Sequence, residues 1–102
     1  MSLSLQVLYP TENGSTFNHD HYASQHMDIV GNAIGPHIEK VVVTKGLTGG
    51  PDTPAGYHAI ATITFADQPA MDAAMAAIGP AVADIPNFYN GQPQMLIGEV
   101  IG

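Results

Sequence analysis

The sequence predicts an α+β fold in the order strand, helix, strand, strand, helix, strand. Three observations predict it. Residues Leu3–Tyr9 and Tyr57–Phe65 alternate in polarity with a period of two, as half-buried strands do. Residues Phe17–Ile34, and the stretch after Asp67, repeat apolar side chains at spacings of three and four. Val41-Val42-Val43 is a β-branched run that offers no polar face. The chain has 102 residues, which fits one domain spanning residues 1–102.

In the first strand Leu3, Leu5, Val7 and Tyr9 share one face, with Ser4, Gln6 and Leu8 on the other, and Pro10 ends it. Residues 11–16 have the composition of a loop. The first helix, Phe17–Ile34, has Asn18 as its N-cap. Phe17 and Tyr22 stand at staple spacing around that cap, and Asp20 suits the helix dipole. Tyr22, His26, Ile29, Val30 and Ala33 fall on one face, and Gly35-Pro36 stops the helix.

The second strand is expected over His37–Leu47, covered on both sides because its valines leave no polar face. A glycine- and proline-rich connection follows, Gly46–Gly56, with the character of a loop that borders a site. In the third strand Tyr57, Ala59, Ala61, Ile63 and Phe65 share the face expected to be more completely buried, opposite His58, Ile60, Thr62 and Thr64. If the first and third strands are parallel neighbours, Tyr9 and Tyr57 lie at opposite ends of them. Asp67 caps the second helix, Pro69 lies in its first turn, and Met71, Ala74, Met75 and Ile78 form its apolar stripe. Gly79-Pro80 breaks it and Ala81–Asp84 forms a short turn. Residues 85–94 read as loop, and Met95–Ile101 as the fourth strand.

This order is the ferredoxin-like split βαβ pattern: one four-stranded antiparallel sheet with both helices on one face. Composition then bears on the other face. Charged residues make up only 11% of the chain, against about 25% in ordinary domains. A small domain with so little charge exposes apolar surface, and such surface marks a partner. A homodimer joined through the two sheet faces is the expected answer.

Charge also excludes function classes. Nine acids face two lysines, Lys40 and Lys45, with no arginine, for a net charge of −7. Neither nucleic acid nor an anionic membrane surface is a fitting partner. Without an arginine fork, a neutral apolar or aromatic ligand is expected rather than a polyanion. The absence of cysteine removes thiolate zinc sites, iron–sulfur clusters and a cysteine nucleophile. No stretch approaches the ~20 apolar residues of a membrane span, and the first residues lack the pattern of a secretory signal, so a cytoplasmic protein is expected.

His26 is the first candidate for chemistry. An imidazole on the apolar face of a helix serves as a general acid or base near neutral pH, or else as a core histidine held by one hydrogen bond. Tyr9, Tyr57 and His58 are further candidates at the strand ends. His19-Asp20-His21 resembles a metal site, but residues two apart on a helix do not converge. His37 and Glu39 lack a third ligand. Gly46-Leu47-Thr48-Gly49-Gly50 lacks the lysine of a phosphate loop. No metal and no cofactor are expected. Met71 and Met75 read as core filler. Asp84-Ile85-Pro86-Asn87-Phe88-Tyr89 reads either as a lid or dimer strap, or as a turn pinned by Phe88.

The chain resembles the EthD family, named for a protein of ethyl tert-butyl ether degradation. The resemblance spans nearly the whole chain. It is carried by Leu8-Tyr9-Pro10, by Phe17-Asn18-His19-Asp20-His21-Tyr22 with His26 four residues on, by Tyr57-His58-Ala59-Ile60-Ala61 with Phe65, and by Ala83-Asp84-Ile85-Pro86-Asn87-Phe88-Tyr89. His21 departs from the pattern, where a second aromatic residue is common, as does Asn18, where an acid is frequent. The resemblance implies a dimeric α/β barrel, in which two ferredoxin-like protomers set their sheets face to face and hold a small ligand between helices and sheet. That superfamily includes cofactor-free monooxygenases, lactone isomerases, polyketide cyclases and haem-handling enzymes. It therefore implies oxidoreductase or isomerase chemistry on a small hydrophobic molecule. His26 and Tyr9 are then the expected catalytic residues, with Tyr22, Tyr57, His58 and Phe88 around the substrate. The alternatives are a carrier with the same pocket, haem held by His26 with Lys40 and Lys45 as the only partners for its propionates, and a purely structural dimer module.

Overall fold

The computed structural model describes residues 2–102. Strand β1, Leu3–Pro10, leads into helix α1, which covers residues 19–34. Strands β2, Lys40–Lys45, and β3, Tyr57–Phe65, form a hairpin. Helix α2, Gln68–Ala77, and the short α3, Gly79–Asp84, precede β4, Gln94–Glu99. The sheet order is β2-β3-β1-β4, and every neighbouring pair is antiparallel. This is the ferredoxin-like arrangement.

The order corrects one expectation. The α1 crossover makes β1 and β2 point the same way, and the hairpin turns β3 back between them. β1 and β3 are therefore antiparallel, with Leu3 opposite Phe65 and Pro10 opposite Tyr57. Tyr9 and Tyr57 lie at the same end of the sheet. The register also slips between Tyr9, which pairs with Ala59, and Pro10, which pairs with Tyr57. His58 is the extra residue of this bulge, and a bulge breaks the two-residue alternation. Tyr57 consequently leaves the face of Ala59. Its hydroxyl lies 3.5 Å from Gln94 Oε1, and Gln94 pairs with Leu8 on the face away from the helices. His58 instead stacks on Phe17, at 5.6 Å between ring centroids.

Leu5, Val7 and Tyr9 of β1 and Ala59, Ala61, Ile63 and Phe65 of β3 are buried against Tyr22, Val30 and Ile34 of α1 and Met71 and Ala74 of α2. Each large side chain buried there contributes about 1.5–3 kcal/mol. The helices lie over these two central strands and leave the edge strands bare. Val41 and Val43, on the helix side of β2, stay 39% exposed, so the helical cover expected there is incomplete.

The ends of α1 and α2 form as their side chains dictate. Asn18 Oδ1 accepts from the backbone N–H of His21 at 3.0 Å, and the Phe17 and Tyr22 rings meet at 5.2 Å. Asp67 Oδ1 accepts from Ala70 N–H at 2.9 Å. β2 is shorter than expected at both ends, and β4 begins one residue earlier than expected, at Gln94, and ends two residues earlier. Residues 35–37 form a 3-10 turn before β2, and β4 stops at Glu99.

The middle of α1 is not α-helical. Tyr22–His26 forms a π turn, in which Met27 N–H reaches back five residues to the Tyr22 carbonyl. Ser24 contributes to the loosening, because its hydroxyl donates to the Asp20 carbonyl at 2.7 Å, the acceptor a regular turn would use. The wider winding brings Tyr22 and His26 into a stack at 5.1 Å, with their planes 22° apart.

Candidate functional site

α1 and α3 build the site between them. His26 is 5% exposed and Asp84 is 7% exposed. The imidazole and the carboxylate meet at 2.9 Å, Nδ1 to Oδ2. Asp84 reaches His26 because Ala81 and Asp84, three residues apart on α3, both turn inward. Two more donors converge on the same carboxylate. His21 Nε2 lies 3.2 and 3.1 Å from its two oxygens, and Asn87 Nδ2 lies 2.9 Å from Oδ1.

These bonds set the charges. Burial pushes Asp84 upward, but hydrogen bonds from Asn87, His26 and His21 outweigh it and hold the carboxyl below its usual range. Burial lowers His26, and the Asp84 hydrogen bond and charge restore only part of that; the neighbouring His21 adds to the lowering. At neutral pH the pair is therefore a carboxylate and a neutral imidazole. A carboxylate only accepts, so His26 carries its proton on Nδ1 and presents the Nε2 lone pair.

That lone pair opens on a cavity. Among the described residues Nε2 has no protein partner, and no enclosed side-chain nitrogen or oxygen lacks one, so Nε2 is reachable by a water-sized molecule. The cavity lies between α1, α3 and the sheet, and its walls include Val7, Tyr9, Tyr22, Val30, Ala61 and Ile85 beside His26. Its volume is about 30 Å³, enough for a water or two. An aromatic ligand enters only if a wall moves.

Tyr9 and Tyr22 supply the other polar groups. Their rings meet edge to face at 5.7 Å. Burial, then the Tyr22 phenol beside it, pushes Tyr9 far above the usual phenol range. Burial pushes Tyr22 up to about 12. Both phenols stay protonated at every physiological pH, so each has one hydrogen to donate.

Of the residues singled out from the sequence, His26, Tyr9 and Tyr22 come together on the cavity wall. Phe88 lies behind it, 3% exposed, with its ring 4.6 Å from His26. His58 and Tyr57 lie elsewhere. Ser15 gives its one hydroxyl proton to the Pro10 carbonyl at 3.0 Å, which leaves His58 Nε2–H to donate to Ser15 at 3.1 Å. Tyr57 borders a shallow depression beside the connection between β2 and β3. His21 turns to Asp84 rather than to His19. Asp84 itself is the residue that sequence reasoning placed in a lid or dimer strap, or in a turn pinned by Phe88, and did not join to His26. The signal was an acid in a segment without periodicity, and nothing local ties it to a histidine 58 residues away.

Architecture and site describe a small ferredoxin-like protein that keeps a histidine–carboxylate pair beside an apolar cavity. The EthD domain family matches residues 15–92, and the chain belongs to that family. An EthD-like protein from Ralstonia eutropha JMP134 superposes with a TM-score of 0.87 at 28% identity, over 99% of this chain and 93% of that one. An ethyl tert-butyl ether degradation (EthD) family protein from Bacillus halodurans C-125 follows at a TM-score of 0.72 and 18% identity, over 99% and 100%. A dimeric ferredoxin-like protein of unknown function from Jannaschia sp. CCS1 gives 0.59 and 21%, over 98% and 100%. No curated protein matches the chain. No helix among the described residues is long and apolar enough to cross a membrane.

Proposed function

We propose that the protein is a cofactor-independent acid–base enzyme of the oxygenase type, acting on a small apolar or aromatic molecule between α1 and the sheet. One observation carries this reading. Asp84 holds the Nδ1–H of His26, which leaves the Nε2 lone pair unpartnered on an apolar wall beside two protonated phenols. His26 Nε2 removes a proton from an acidic O–H or C–H of the substrate, and Asp84 stabilises the imidazolium that forms. Tyr9 and Tyr22 donate to the substrate oxygen on which negative charge develops. The electron-rich anion is then able to reduce dioxygen. Returning the proton to another carbon of the same anion gives isomerisation.

The test uses titration with phenol, 1-naphthol and 1,4-dihydroxynaphthalene, followed at the His26 ring signals by NMR, with oxygen uptake measured in parallel. The expected result is a His26 response to at least one probe, and turnover that His26→Ala lowers about 10²–10⁴-fold. A ligand that binds and is never transformed makes the protein a carrier. Turnover unchanged in His26→Ala removes His26 from the mechanism.

The same reading includes a homodimer. The sheet face away from the helices carries Leu8, Val42, Ile60 and Leu96 among threonines and Gln6, with Val42 45% and Leu96 58% exposed. Lys40 is the one charged side chain in that row. A self-complementary face of this kind suits a second copy. Light scattering is expected to give twice the chain mass for the protein, and a monomer with unchanged circular dichroism for Leu96→Asp. A monomeric parent protein sinks this part of the reading.

A further inference from the structure

His21 has no part in the steps above, yet it holds the same carboxylate as the base. Its Nε2 approaches both Asp84 oxygens, 3.2 Å from Oδ1 and 3.1 Å from Oδ2, while His26 Nδ1 takes Oδ2 at 2.9 Å. One carboxylate thus serves two imidazoles, and these are the only contacts of ion-pair length between basic and acidic side chains among the described residues. The two histidines differ in access. The His21 side chain is 17% exposed against 6% for His26. Solvent therefore reaches His21 without opening the cavity.

We propose that His21 is a positioning and charge-balancing residue of the site: it clamps Asp84 toward His26, and its protonation from solvent draws the carboxylate's charge away from the base. The proposal rests on His26 being that base. In the neutral state His21 donates Nε2–H to Asp84 and fixes the plane of the carboxylate. A proton added to His21 makes it a full counter-ion, and a proton then added to His26 sets two cations around one anion. Protonation of His26 is therefore coupled to the charge on its neighbour. The other groups facing them are Asn87, which donates to Asp84, and the Tyr22 phenol stacked on His26, with Tyr9 across the cavity. Phe88 lies against both imidazoles and carries no charge. With no second anion in the cluster, Asp84 is divided between the two histidines. A charged His21 therefore opposes protonation of His26, so acidification charges the base at lower pH and over a wider range than it would a lone histidine.

Nitrogen-15 NMR of the imidazoles, from about pH 4.5 to 8.5, tests this without any ligand. In the parent protein the His26 signals are expected to show two inflections, one of them at the pH where His21 titrates. His21→Gln keeps a donor for Asp84 and removes the second charge. It is expected to leave one inflection at His26, with its midpoint raised by about half a pH unit or more. A His26 midpoint unmoved in His21→Gln overturns the proposal. If that variant does not fold, the parent protein decides: a single His26 inflection, with no step at the His21 transition, overturns it as well. A purely structural His21 would alter melting and leave the His26 curve in place. Failure of every probe to bind would remove the enzymatic reading and leave this coupling measurable, so the two fail separately.

Discussion

Asp84→Asn is expected to lower turnover about 10²–10⁴-fold while leaving His26 in its place. The reason is a tautomer. The carboxylate accepts from three donors, His21, His26 and Asn87. An asparagine has one oxygen to accept with and two N–H bonds to give. Its oxygen is claimed by His21 and Asn87, so its NH₂ turns to His26 Nδ1. The imidazole proton then moves to Nε2, where the cavity meets a donor instead of a lone pair. Nitrogen-15 NMR reads this directly, as Nδ1–H in the parent protein and Nε2–H in the variant. An Asp84→Asn protein that retains both the Nδ1–H form and its turnover would refute the role given to Asp84.

The same substitution has a stability signature that depends on pH. His26 is held below its unfolded value, so the unfolded chain takes up that proton first. The stability that goes with a neutral His26 is complete above about pH 6.5, the unfolded value, and is lost as the pH falls through the folded value. Asp84 is also held low, so its contribution is present above about pH 4, near the unfolded value, and is lost as the pH falls through the lower folded one. Losing hydrogen bonds to a buried charge costs about 2–3 kcal/mol at pH 7. Urea denaturation is expected to show that gap between parent and variant at pH 7, and a smaller gap near pH 3, where the parent's carboxylate begins to be neutralised. A gap that grows on acidification contradicts the assignment.

Much of this was legible in the sequence, because its signals are local. The alternation in Tyr57–Phe65 gave that strand its bounds, and Asn18 and Asp67 marked their helices through side chains that reach backbone groups three residues on. His26 stood out because an imidazole interrupts an apolar stripe. Other features depend on contacts that no local pattern encodes. The bulge at Tyr9/Pro10 shifts Tyr57 to the far face and turns His58 toward Phe17, yet strict alternation continues through both residues in the sequence. The π turn that stacks Tyr22 on His26 is accompanied by a serine hydroxyl that takes a backbone carbonyl, which the apolar spacing of α1 does not display. The Asp84–His26 bond joins the two halves of the chain, and only the packing of α3 against α1 forms it.

Phe88→Ala is expected to destabilise the fold by about 3–5 kcal/mol, the range for deleting a buried phenylalanine. Phe88 is the hub of the aromatic cluster. Its ring lies 5.5 Å from Tyr9, 5.2 Å from Phe17, 5.1 Å from Tyr22 and 4.6 Å from His26. Its backbone carbonyl accepts from Asn18 N–H at 2.7 Å, which ties the segment after α3 to the start of α1. A cavity at this point removes the surface against which the Tyr22 and His26 rings stack. Small domains have about 5–15 kcal/mol of stability in total, so the loss takes a large share of it. Phe88→Leu, which refills most of the volume, is expected to cost clearly less. Urea denaturation of both variants at pH 7 measures the difference. A Phe88→Ala cost under 1 kcal/mol would mean that the cluster collapses to fill the space, and that the imidazole is held by Asp84 alone.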